Sequence, residues 1–127
     1  MKAVLAVRLG GFLGTVVRYK LGGWVLHHTA GYRFPVSTFV VNMLGCGLVG
    51  LLVGIAEHRH ELSPTVRLLL ITGFCGGFTT FSAFGFETMY LLRRNEIGWA
   101  AANAVLSVLV GVTAVWWGWK VVGLRSP

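Results

Sequence analysis

Residues 73–87 read Gly73-Phe74-Cys75-Gly76-Gly77-Phe78-Thr79-Thr80-Phe81-Ser82-Ala83-Phe84-Gly85-Phe86-Glu87. The run is apolar overall, yet it holds a glycine pair, a threonine pair and a carboxylate. It lies inside a longer stretch that starts after Ser63-Pro64 and ends at Arg93-Arg94-Asn95-Glu96. That stretch exceeds the roughly 20 residues a helix needs to cross a bilayer. A Gly-Gly pair weakens a helix by about 2 kcal/mol relative to Ala-Ala. In hydrocarbon, an unwound turn is tolerated only where its backbone groups meet protein, line a cavity or bind an ion. Broken helices at membrane depth recur as ion sites. The run therefore predicts a membrane helix broken near Gly76–Thr80, the alternative being a merely close-packed glycine pair.

The rest of the chain agrees with a membrane setting. Of 127 residues, 55% are hydrophobic and 12% charged, and the mean hydropathy is +0.73. A soluble domain carries roughly a quarter of its residues charged. Apolar runs separated by short polar patches predict four spans, at about 3–27, 35–57, 65–92 and 97–122. The expected fold is an all-α integral membrane protein of four transmembrane helices, the third broken mid-span, forming one domain over 1–127. Met1 to Arg8 has some character of a signal peptide. Arg8 interrupts its apolar part and no small-residue cleavage site follows, so it reads as the start of the first helix. Pro64 after Ser63 suits a helix start. Tyr19, Trp24, Tyr32, Tyr90, Trp99, Trp116, Trp117 and Trp119 fall near span ends, where amphipathic rings favour the headgroup region.

The net charge of +7 would suggest nucleic acid on a soluble protein. The basic residues instead sit singly or in pairs at the ends of apolar runs, as membrane-flanking cations do, and nucleic acid is excluded as a partner. Cys46 and Cys75 are the only cysteines. They make no disulfide framework and no metal-ligand spacing. Four spans put Lys2, Arg8, Arg59, Arg67, Lys120 and Arg125 on one side, and Arg18, Lys20, Arg33, Arg93 and Arg94 on the other. Cation bias orients a membrane chain only when it is lopsided. The near-even distribution predicts insertion both ways round and an antiparallel homodimer. Gly10-x-x-x-Gly14 and Gly50-x-x-x-Gly54 have the spacing that lets helix backbones approach closely. In so small a chain, some of these faces are expected to meet a second subunit.

Several polar and aromatic residues fall within the spans. Phe81 and Phe84 are three apart and share a helix face. They serve either as packing residues or as ring edges, the positive part of the aromatic quadrupole, aimed at an anion. Ser82 adds a hydroxyl donor. Asn42 lies mid-span with Thr38 one turn before it, and Asn103 and Ser107 form an i, i+4 pair. Buried amides and hydroxyls either glue helices together or line a passage. Arg18 and Glu87 are the deepest charges, and charge inside a span points to function or pairing, although Arg18 also has the length to snorkel.

Three runs together, GFCGGFTTFSAFGFE over 73–87, STFVVNMLGCGLVG over 37–50 and Gly14-x-x-x-Arg18 followed by Tyr19, resemble the Fluc/CrcB fluoride channels. The resemblance covers essentially the whole chain, and its GGxTTFSxF core is the specific part. It implies a passive fluoride channel of two antiparallel subunits in the cell (inner or plasma) membrane of a prokaryote. By the same resemblance Phe81 and Phe84 are the pore phenylalanines, Asn42 the pore asparagine and Ser107 a pore-lining serine. Thr38, Ser82 and Glu87 belong to a polar track along the pore. Backbone carbonyls of Gly76 and Thr79 are implied to hold a structural Na+ at the dimer interface, with Arg18 and Gly77 in structural roles. Ala83 and Gly85 stand where the family often carries a hydroxyl residue, and Ser37 replaces a common glycine. Nothing in the chain suggests an enzyme: there is no nucleophile–base pair, no HExxH and no Walker loop. The rivals to a channel are a dual-topology, proton-coupled multidrug exporter, which predicts a carboxylate on the first span, and a non-transporting helical scaffold.

Overall fold

A computed structural model describes residues 1–58 and 62–124. Arg59 and Arg125, counted in the charge distribution above, lie outside the described residues. Four long helical rods follow one another, within about two residues of the expected spans. The first is α1 (Lys2–Thr29) and the second α2 (Val36–His58). The third comprises α3 (Pro64–Arg67), a π-helical segment (Leu68–Cys75), α4 (Gly76–Phe78) and α5 (Phe81–Arg93). The fourth is α6 (Ile97–Gly123). Three rods, Val36–His58, Pro64–Arg93 and Ile97–Gly123, are long and apolar enough to cross a membrane. The 28-residue α1 has the length as well, but Arg8, Arg18 and Lys20 interrupt its apolar run.

Local chemistry sets the ends of the third rod. Ser63 caps α3 by accepting from the Val66 N–H at 3.4 Å, with Pro64 in the first turn. At its far end Asn95 takes φ 62°, a left-handed conformation asparagine tolerates well. The Glu96 N–H then folds back to the Leu91 carbonyl at 2.9 Å, closing the turn into α6.

The rods pair through glycine, and here one expectation is corrected. Both GxxxG faces pack within the chain rather than waiting for a second subunit. A Cβ on Gly10 would strike the Leu69 carbonyl oxygen, and one on Gly14 the Phe74 carbonyl oxygen. Those positions dock α1 against the π segment and α4. A Cβ on Gly50 would strike the Val115 carbonyl oxygen, and one on Gly54 would lie 3.0 Å from the Trp119 carbonyl oxygen, so α2 docks on α6. Lipid tails are as apolar as leucine, so membrane helices gain from close backbone packing rather than from expelling water. Even a small bundle uses its glycine faces internally first.

Candidate functional site

The third rod breaks at Thr79 and Thr80, which are extended at φ −87°, ψ 158° and φ −149°, ψ 111°. The glycine pair, where the break was expected to begin, remains helical in α4. Gly77 is there for contact: a Cβ would fall on the Gly11 carbonyl oxygen of α1. Gly76 faces open space. The β-branched threonines favour extended backbone and carry the hydroxyls that cap both broken ends. Thr79 donates its N–H and its hydroxyl to the Cys75 carbonyl, each at 2.9 Å, ending α4. Thr80 starts α5 by accepting from the Ala83 N–H at 3.2 Å.

Asn42 holds the break from α2. Its Nδ2 donates to the Thr80 carbonyl at 3.0 Å, and its Oδ1 accepts the Thr80 N–H at 2.8 Å. One side-chain amide thus satisfies both backbone groups of a residue that has left its helix, as a neighbouring strand would. The Gly76 and Thr79 carbonyls accept hydrogen bonds from no described residue. The break therefore offers two opposite electrostatic faces. Free carbonyls end α4, and unpaired N–H groups, with the positive end of the helix dipole, begin α5.

The break opens into a groove of about 330 Å³ whose lining includes Asn42, Thr79, Thr80, Phe81, Phe84 and Ser107. The Phe81 and Phe84 ring centroids are 5.3 Å apart and tilted by 36°. Phe81 is 83% exposed on the single chain. Ser82 reaches the Thr80 hydroxyl at 3.2 Å. One turn away along α2, the Thr38 hydroxyl donates to Glu87 Oε1 at 2.6 Å, while Glu87 Oε2 is buried with no hydrogen-bond partner among the described residues. Glu87 borders a second hollow of about 290 Å³ that also touches Tyr32, Arg33, Arg94 and Glu96. At its rim Arg94 donates to the Tyr90 hydroxyl at 3.2 Å and pairs with Glu96 at 3.4 Å. Thr38 and Asn42 are one turn apart on α2, as Phe84 and Glu87 are nearly one turn apart on α5. The two hollows therefore succeed each other along α5, the second bounded by the loop that leads into α2. Arg18 is half-buried and pairs with no described residue.

Two residues here were not picked out from the sequence. Thr80 is both the cap of α5 and the partner of Asn42, and Thr88 donates to the Phe84 carbonyl at 2.8 Å. The extended pair Thr-Thr ahead of an apolar helical run is a recognisable cap signal for the first. Nothing local distinguishes Thr88 from a surface threonine.

Long apolar helical rods, one of them interrupted and its ends capped by hydroxyls and an amide beside a pair of aromatic rings, define a helical membrane protein with a polar break between its helices. The chain belongs to the CrcB family: the family model described as CrcB-like protein, Camphor Resistance (CrcB), matches residues 5–119. It is 48% identical over 122 residues to the fluoride-specific ion channel FluC of Methylobacillus flagellatus, covering 96% of this chain and 95% of that protein. It is 45% identical over 118 residues to the protein of the same description from Flavobacterium psychrophilum, covering 93% and 94%. With the counterpart from Acidobacterium capsulatum the identity is 42% over 121 residues, covering 95% of each. Family membership and three rods of membrane length make this a multi-pass membrane protein of a prokaryote.

Proposed function

We propose that the chain forms a passive, fluoride-selective channel in the cell (inner or plasma) membrane that exports fluoride from the cytoplasm and lowers its toxicity. The observation that carries this reading is the groove at the break, where Asn42, Thr79, Thr80, Phe81, Phe84 and Ser107 converge. Its relatives are described as fluoride-specific channels. Hydrofluoric acid is a weak acid that crosses the bilayer neutral and ionises inside, so a passive route for the anion suffices for export. Fluoride is small and strongly hydrated. A narrow passage conducts it only by replacing its water with donors that bind without trapping. The hydroxyls of Ser107 and Ser82 supply direct donors, whereas the Thr38 proton is already committed to Glu87. The edges of Phe81 and Phe84 supply weak positive potential without a full charge. Glu87 belongs to the same polar track, tied to Thr38.

The working unit in this reading is an antiparallel homodimer of four-span subunits. The near-even cation distribution supports dual insertion, and the exposed Phe81 and open Gly76 leave the break side of the third rod available to a partner. The Gly76 and Thr79 carbonyls are the groups that would hold a structural Na+ at that interface. Carbonyls released by an unwound membrane helix suit such an ion, whose charge would offset their dipoles. Arg18 and Gly77 are structural, Gly77 through its contact with Gly11.

The multidrug-exporter alternative needs a carboxylate on the first span; α1 carries none, and Glu87 lies on α5. Proteoliposomes loaded with fluoride or chloride test the proposal. Fluoride efflux without chloride efflux, and without any proton gradient, is expected. Well-folded protein that moves no fluoride would overturn it. Phe81→Ile and Phe84→Ile should each abolish flux with the dimer still assembled, and undiminished flux in both would remove the ring-edge role.

A further inference from the structure

The groove explains Phe84 and Ser107 but leaves unexplained what lies behind them. Asn103, on α6, is 2% exposed and the one buried polar side chain among the described residues. Its Nδ2 donates to Thr88 Oγ1 at 2.9 Å. The Thr88 hydroxyl in turn donates a hydrogen bond to the Phe84 carbonyl at 2.8 Å, one turn back on α5. On the other side, Asn103 Oδ1 accepts from the Ser107 hydroxyl at 3.5 Å, the longest side-chain hydrogen bond in this network. A single amide thus joins the turn that carries one pore ring to the hydroxyl of a residue on another helix. It does so without touching the groove itself, since Asn103 is absent from the groove lining whereas Phe84 and Ser107 are in it.

We propose that Asn103 is a positioning residue for conduction, coupling the Phe84 turn to the Ser107 hydroxyl. The inference rests on the channel reading above. The Nδ2 arm fixes α5 against α6 through Thr88, so that the Phe84 ring cannot slide along α6. The Oδ1 arm gives the Ser107 proton a resting acceptor. A bond at 3.5 Å is at the outer limit of useful geometry, so it orients the hydroxyl and still releases it cheaply when an anion arrives. Asn103 is suited to this because an amide carries a donor and an acceptor on one planar head. Aspartate would offer Thr88 an acceptor where it now meets a donor, and serine is too short to keep both arms. A buried amide used only as glue would need its two bonds but would not care whether its neighbours face the ion.

Flux in proteoliposomes separates these roles. Thr88→Val and Ser107→Ala do not touch each other's side chains directly, so coupling between them runs through Asn103. Each should lower fluoride efflux, and the double variant should lose at least threefold less than the product of the single losses. In an Asn103→Leu background, itself at least tenfold slower than the parent, that coupling should vanish. The dimer fraction on size exclusion should stay as in the parent. Thr88→Val and Ser107→Ala losses that multiply without coupling would overturn the proposal, as would an Asn103→Leu rate within twofold of the parent. Should Asn103→Leu fail to fold, the Thr88/Ser107 pair alone still decides. A parent protein that moves no fluoride would instead count against the channel reading.

Discussion

Replacing Asn42 with leucine tests the most specific feature of the break. Leucine keeps the branched outline of asparagine, with bulkier tips, and removes both polar arms. In the protein those arms meet the Thr80 N–H at 2.8 Å and the Thr80 carbonyl at 3.0 Å. Both groups lie between α2 and the third rod, half-buried, with no helical partner to fall back on. Stranding a buried backbone group costs about 1–3 kcal/mol, so two groups set the loss at roughly 2–6 kcal/mol. Against total stabilities of about 5–15 kcal/mol, that is a large fraction. The local readout is amide exchange at Thr80. An opening made easier by even 2 kcal/mol accelerates exchange roughly 30-fold, at tenfold per 1.4 kcal/mol. The global readout is the unfolding midpoint in a detergent–SDS titration, which should fall in Asn42→Leu. Asn42→Asp should fall too, because it keeps an acceptor for the Thr80 N–H and sets a second oxygen against the Thr80 carbonyl. Unchanged Thr80 exchange together with a midpoint shift below about 0.5 kcal/mol would refute the clamp, because it would mean that water or rewinding of the turn replaces the amide at no cost.

Other consequences follow from the same contacts. Gly77→Ala should cost roughly 1–3 kcal/mol or more and cut the yield of folded protein, since its Cβ meets the rigid backbone of Gly11; Gly76→Ala, with open space around it, should be nearly neutral, and SDS titration of the pair reads the contrast. Thr38→Val removes the donor to Glu87 Oε1 and leaves that carboxylate without its one hydrogen bond from a described residue. Fluoride efflux should drop several-fold while the dimer fraction holds, and an unchanged rate would take the Thr38–Glu87 pair out of the pathway. Single-cysteine variants at loop positions, labelled in sealed vesicles by an impermeant maleimide, should react from both faces if insertion is dual. Labelling from one face alone would refute the antiparallel arrangement.

Much of this molecule was legible in the residues before any coordinate. Rod lengths follow from apolar runs matched to bilayer thickness, and the start at Ser63-Pro64 follows from the preference of proline for a first helical turn. These are local properties, set by each segment's own side chains. The expectation of a break near 76–80 was also local, because glycines and threonines side by side weaken a helix whatever surrounds them, though a close-packed glycine pair fitted the same residues. Where it breaks was not. Gly76 and Gly77 stay wound because α1 packs against Gly77, and Thr80 leaves the helix with a distant amide ready to take both of its backbone groups. The partners of Gly10, Gly14, Gly50 and Gly54 were likewise undetermined, since a GxxxG spacing states that a close approach is possible and never with what. The Asn103–Thr88–Phe84 connection needed two helices brought side by side. One-dimensional patterns carry period and propensity; the choice among compatible partners is made by packing, and only the tertiary structure decided it.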